Sequence, residues 1–146
     1  MSNPIVQFLQ ARIGKPMTES PSPLARWLNG TFREVQEGEL TADFTIREEM
    51  TNPMGITHGG AVSAMLDEII GIAVYTLHNE FQYATINLNV DFLASAKAGE
   101  TVTVKAKVIR KGRNIAHAEG HLYNAEGKLL AKATSNLLAT QLRTGH

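Results

Sequence analysis

Asp67 and Glu68 lie side by side in the middle of Gly59–His78, the one long stretch whose residue spacing reads as a helix, and apolar residues surround them on nearly every side. A carboxylate in such a setting needs a reason, because an unpaired charge is costly to bury. Ser63 stands one turn before Asp67 and Gly71 one turn after. Asp67 therefore occupies a narrow stripe of small residues along which a substrate chain or water could approach it. An aspartate has a reference pKa of about 3.9 and is ionised at neutral pH, so it can act as general base or nucleophile. A plainer reading has Asp67 hydrogen-bonding a backbone group or an arginine, and one residue alone does not separate the two.

A second set of groups precedes that helix. The segment Asn52-Pro53-Met54-Gly55-Ile56-Thr57-His58-Gly59-Gly60 runs straight into its N-terminus. The first N–H groups of a helix have no partners within it and sit at the positive end of the macrodipole, which suits a developing oxyanion. Glycine lets a carbonyl come close, and Gly59 is the candidate donor. The glycine pair alone is equally a tight turn feeding a helix, and His58 alone reads sooner as a structural hydrogen-bonding residue than as a base. Farther on, Arg110, Lys111 and Arg113 flank Gly112 at a turn where cationic side chains could meet phosphates, or form an ordinary solvated hairpin tip. His117 and His121 invite a zinc reading, but on a strand they stand about 13 Å apart, too far to share one ion. Neither a metal nor a cofactor is expected.

The elements that must position these groups follow from periodicity. Ile5, Val6, Phe8, Leu9 and Ile13 recur at helical spacing behind Asn3-Pro4, up to Gly14 and Pro16; Ser22-Pro23 opens a brief helix with Leu24, Trp27 and Leu28. Residues 1–29 are thus a helical strap. From Thr31 the period becomes two: Thr31–Gln36, a turn at Glu37-Gly38, then Leu40, Ala42, Phe44 and Ile46 on one face. Beyond the long helix, Ala84, Ile86, Leu88, Val90 and Phe92 alternate with polar partners, and three further strands with short turns complete what reads as a four-stranded antiparallel meander. The order ββ, long helix, ββββ predicts an α+β fold, with a sheet of about six strands wrapped around the helix. A helix apolar nearly all round also predicts cover from a second copy of the chain. Met65, Ile69, Tyr83 and the strap are candidate pocket walls.

Composition narrows the function classes. The chain has 146 residues, the size of one domain spanning 1–146 with its core at 30–141, and 43% of them are apolar. Fourteen basic residues balance fourteen acidic ones, so charge gives no reason to expect a nucleic-acid or membrane-surface partner. The absence of cysteine excludes disulfides, thiolate metal sites and a cysteine nucleophile. No stretch approaches the roughly 18 apolar residues of a membrane span, and the N-terminus lacks the pattern of a signal peptide, so a cytoplasmic location is expected.

The combination Asn52-x-x-Gly55-x-x-His58-Gly59-Gly60 with Asp67 seven positions later resembles the signature of the phenylacetate-degradation-type (PaaI-like) hotdog thioesterases. The similarity runs from about Gly38 to Ala139. It includes Thr85, where relatives carry a water-positioning hydroxyl, and the Asp91-Phe92-Leu93 to Ala98-Gly99-Glu100 pattern. The resemblance implies a hotdog fold, dimers that often pair into tetramers, and sites at the dimer interface. It implies hydrolysis of an acyl-CoA: Asn52 and the Gly59 N–H polarise the thioester carbonyl, with His58 and Gly60 beside the substrate, while Asp67 of the facing subunit, aided by Thr85, activates water or attacks directly. Related subfamilies have glutamate at this point. Glu68 is about 100° around the helix from Asp67, and register assigns the role to Asp67. A hotdog dehydratase or hydratase, or a non-catalytic acyl-CoA-binding module, are the alternatives.

Overall fold

The computed structural model describes residues 2–145. Asn3 starts α1 (Pro4–Gln10) by accepting hydrogen bonds from the Ile5 and Val6 N–H groups, while Pro4 occupies the first turn, where no donor is needed. The helix stops short of Ile13: the Arg12 N–H turns back to Leu9 O, and Gly14, at a φ of +84° open to glycine, ties its N–H to Phe32 O. Ser22 caps α2 (Pro23–Leu28), whose buried Ala25 and Leu28 face the core.

The hairpin β1 (Thr31–Gln36) and β2 (Glu39–Thr45) turns at Gly38, where φ is +76°. Its predicted inner face holds, with Leu40, Ala42, Phe44 and Ile46 buried. The long helix, α3, spans Gly59–Tyr75. It ends three residues earlier than the apolar pattern suggests: after Thr76 the bonds tighten to i→i−3, from the Leu77 N–H to Val74 O and the His78 N–H to Tyr75 O, and His78 turns left-handed at a φ of +60°. The Thr76 hydroxyl donates to Ala73 O (2.6 Å) and accepts the Gly38 N–H (2.7 Å), which pins the helix end under the hairpin turn.

The remaining strands are β3 (Phe81–Phe92), β4 (Thr101–Lys111), β5 (Ile115–Tyr123) and β6 (Leu129–Arg143). All pairs are antiparallel and the sheet order is β1-β2-β4-β5-β6-β3. The four-strand meander is therefore corrected to three: β4, β5 and β6 are consecutive neighbours, whereas β3 pairs with β6 at the far edge. The physical reason lies in residues 93–100, a connection too long for a tight hairpin. It crosses the end of the sheet and is anchored just past β2 by Ile46 N–H to Glu100 O and Gly99 N–H to Ile46 O. Ala116, Ala118 and Gly120 on β5 let α3 lie close, and a Cβ built on Gly120 would stand only 3.1 Å from Leu66 Cδ2 and 3.2 Å from Ile70 Cδ1. The sheet thus curls around α3, with β1 and β3 as its two edges.

Candidate active site

The wrapping of α3 is incomplete on one side. Met65, Leu66, Ile69 and Ile70 are fully buried, but Ser63, Ala64, Asp67 and Gly71 are only partly covered, and a Cβ placed on Gly71 would meet nothing within 4 Å. The small-residue stripe is the open side of the helix, beside edge strand β3. From that strand the Thr85 hydroxyl donates to Asp67 Oδ1 at 2.9 Å.

Thr85 can do so because β3 is not a uniform strand. Its register against β6 slips between Thr85 and Asn87, which makes Ile86 an extra, bulged residue. Asn87 holds the bulge: its Oδ1 accepts the Asn136 N–H (3.0 Å) and its carbonyl accepts the Ser135 hydroxyl (2.9 Å). Before the bulge Tyr83 and Thr85 turn toward the helix; after it Leu88 and Val90 do. This corrects the unbroken alternation expected of Ala84, Ile86, Leu88, Val90 and Phe92, of which Ile86 and Phe92 are more than half exposed. A bulge that re-aims one side chain leaves no mark in a pattern of period two.

At the head of α3, His58 is the N-cap, and its Nδ1 accepts the Gly60 N–H at 2.8 Å. The Ala61 and Val62 N–H groups bond to His58 O. Gly60 therefore has no N–H to offer a ligand, while the Gly59 N–H has no acceptor among the described residues. Asn52 shapes the preceding loop: its Oδ1 accepts from the Met54 N–H (2.9 Å) and, at 3.4 Å, the Ile56 N–H, which leaves its amide NH2 as a donor. The loop is clamped to the 93–100 connection where Thr57 gives both its N–H and its hydroxyl to Ala96 O. Beside Gly59 a cleft of about 430 Å³ opens toward Val62, Leu122 and Leu130, and the Phe92 ring lies across the glycine, 3.3 Å from where a Cβ would stand. Met65 and Ile69, expected as pocket walls, are instead sealed in the core.

Glu68 points away from this stripe and has a separate partner. The Ser22 hydroxyl donates to Glu68 Oε1 at 3.0 Å while accepting the Ala25 N–H at 3.3 Å, so one serine caps α2 and moors it to α3. Burial pushes the Glu68 carboxyl above the ordinary carboxylate range, the Ser22 hydrogen bond pulls it back, and the Asp67 charge raises it further.

Distances decide which groups one chain can bring together. Gly59 and Asp67 are eight residues apart on one helix, about 12 Å along its axis. Phe92 pairs with Ala131 and Thr85 with Leu137, six residues along β6, so the two ends of the site are roughly 20 Å apart along the sheet. Thr85, Leu137, Ala116 and Lys111 share one row across four strands, which puts Lys111 about 14 Å from Thr85 and at the opposite end of the sheet from Gly59. Arg110, Lys111 and Arg113 are exposed there. His117 shares a 2.8 Å hydrogen bond with Asn136, and the His121 ring stacks on Tyr123. Among the described residues no group of three or more His, Cys, Asp or Glu could hold a metal ion, and no helix is long and apolar enough to cross a membrane.

The sequence model of the thioesterase superfamily matches residues 54–131, which contain the loop from Met54 onward, α3 and β3 to β5. The chain belongs to the thioesterase superfamily. Thioester hydrolase is accordingly its enzyme class. Within the superfamily it is 29% identical over 103 residues to human acyl-coenzyme A thioesterase 13, covering 70% of this chain and 74% of that one. A solved phenylacetic acid degradation-related protein from Ralstonia eutropha JMP134 is 36% identical with a TM-score of 0.75, covering 83% of this chain and 93% of that one. The E. coli PaaI protein from the phenylacetic acid degradation operon, 21% identical, superposes with a TM-score of 0.81 over 95% of each chain. The fold of this superfamily member is the hotdog fold.

Proposed function

We propose that the chain hydrolyses an acyl-CoA to the free acid and CoA, at sites that two copies build together. The Gly59 N–H and the Asn52 amide of one copy bind the thioester oxygen. Asp67 of the facing copy removes a proton from water, and the hydroxide adds to the carbonyl carbon. When the tetrahedral adduct collapses the C–S bond breaks, and the proton held on Asp67 passes to the CoA thiolate. Thr85 donates to Oδ1, which leaves Oδ2 to face the water. Arg110, Lys111 and Arg113 lie at the Thr85 end of the sheet, so the copy that supplies Asp67 also supplies the cations for the CoA phosphates. A homodimer is the least assembly this needs, with a homotetramer as its doubled form, and the cytoplasm as its place.

The observation that supports this reading most is the position of Asp67. Its carboxylate is held by Thr85 on the partly covered stripe of α3, yet lies about 12 Å along the axis from the free donor at Gly59. A carbonyl squeezed between the two needs a second chain. The test is thiol release from a panel of acyl-CoAs by wild type and Asp67→Asn. The expected result is a kcat loss on the order of 100- to 10,000-fold with KM nearly unchanged; equal rates in both proteins would refute it.

A further inference from the structure

We infer that Asn87 is a positioning residue for the proposed hydrolysis, on which the inference rests: from the outer face of the sheet, in a hydrogen-bonded row with Asn136 and His117, it sets the bulge that turns Thr85 onto Asp67. The register slips between Thr85 and Asn87 and is regular again from Asn87 onward, so whatever fixes residue 87 against β6 fixes where the extra residue goes. Before the bulge Tyr83 and Thr85 face α3; after it Leu88 and Val90 do. Were the extra residue to move back past Thr85, the Thr85 side chain would swing to the outer face and leave the carboxylate.

Residue 87 is gripped from both faces. On the inner one the hydroxyl of Ser135, a buried residue, donates to Asn87 O at 2.9 Å. On the outer one Asn87, Asn136 and His117 stand in one row across β3, β6 and β5. In an unbroken ladder an N–H aimed at the next strand meets a backbone carbonyl; here the Asn136 N–H meets the Asn87 side chain, 3.0 Å from Oδ1. That contact fixes the direction of the whole row. A backbone N–H only donates, so the Asn87 atom facing it is the oxygen. The Asn136 group 3.1 Å from the same oxygen is then its NH2, which leaves Asn136 Oδ1 to accept from His117 Nδ1 at 2.8 Å. Turning either amide around would set oxygen against oxygen or N–H against N–H. The neighbours Ala116, Ala118, Ser135 and Leu137 are buried on the α3 side, so His117 and Asn136 face away from Asp67, and the row can act on the carboxylate only through Thr85.

The experiment is a double-mutant cycle on octanoyl- and benzoyl-CoA with wild type, Asn87→Ala, Thr85→Ala and the double variant, each checked by melting curves and sedimentation for fold and assembly. Asn87→Ala is expected to lower kcat at least about fivefold with KM nearly unchanged, and to cost less than about twofold more once Thr85 is already alanine. Losses that multiply, or no loss from Asn87→Ala, overturn the inference and leave thioester hydrolysis standing. The direction of the row supplies a second arm. Asn87→Asp keeps the accepting oxygen and should hold kcat within about threefold of wild type, whereas Asn136→Asp sets a carboxylate against Asn87 Oδ1 and should cost about as much as Asn87→Ala. Equal effects of the two aspartates reject the inference, and this pair decides it if Asn87→Ala does not fold. If wild type hydrolyses no acyl-CoA at all, the proposed reaction fails instead. A crystal structure of Asn136→Asp then reads the aim of Thr85 without turnover: a hydroxyl turned off Asp67 supports the inference, and the wild-type bond rejects it.

Discussion

Thr85 Oγ1 reaches Asp67 Oδ1 at 2.9 Å across the seam between the bulged edge strand and the partly covered stripe of α3. Thr85 orients the carboxylate proposed to take the proton from water, so Thr85→Ala, which frees that carboxylate to turn, should lower kcat by up to about 100-fold. Thr85→Ser keeps the hydroxyl and should stay within a few-fold of wild type. Because Thr85 is exposed in the single chain, the alanine variant should melt at nearly the wild-type temperature. A kinetic loss that tracks a loss of stability would mean the pair is merely structural.

The two halves of the proposed site can be separated genetically. Asn52→Ala damages the oxyanion half and Asp67→Asn the carboxylate half, so each pure variant should be nearly inactive. Mixed and allowed to exchange, they should recover about a quarter of wild-type activity, since random pairing makes half the dimers mixed and each mixed dimer holds one intact site. No recovery after proven exchange would place both halves in one chain. Asn52→Asp adds a finer control: it keeps the acceptor for the Met54 and Ile56 N–H groups and removes only the amide donor, so it should lose activity with little change in melting temperature.

Glu68 gives a prediction in pH. Its folded-state pKa lies above the ordinary 4.5, chiefly through burial, so the native state holds this proton more tightly than the unfolded chain. The stability gained from that is complete below about pH 4.5 and is lost as pH rises through the folded-state value. Glu68→Gln cannot ionise and still accepts from Ser22. Thermal melts should therefore show the variant above wild type at pH 7 to 8, with the gap closing toward pH 4. A constant offset across that range would contradict the assignment.

Gly120 and Gly71 should respond oppositely to alanine. At Gly120 a methyl would press on Leu66 and Ile70, and overpacking of this kind costs about 1–3 kcal/mol. At Gly71 the space is open and the residue is helical, so alanine should stabilise the isolated chain by up to about 1 kcal/mol. The open stripe is where a substrate or second copy is proposed to lie, so Gly71→Ala should also reduce turnover or weaken dimers in sedimentation. Unchanged assembly and activity would leave that face without an occupant.

Much of this protein is legible in its sequence because the determining signals are local. Periods of two and 3.6 residues mark the hairpin, α3 and the strands of the meander; Asn3, Ser22 and His58 start helices by bonding N–H groups two or three residues ahead. The loop glycines and the polar residues on an apolar helix mark Gly59 and Asp67 as candidates, and the family resemblance is what supplies the roles expected of them. What the tertiary structure decided is long-range: that β3 crosses to pair with β6, that Ile86 bulges and so turns Thr85 onto Asp67, that His58 consumes the Gly60 N–H, and that the cleft forms behind Phe92 and not around Met65. Strand neighbours and side-chain partners are set by which surfaces bury one another, and residues as far apart in the chain as Ser22 and Glu68 meet only after the sheet has closed around the helix.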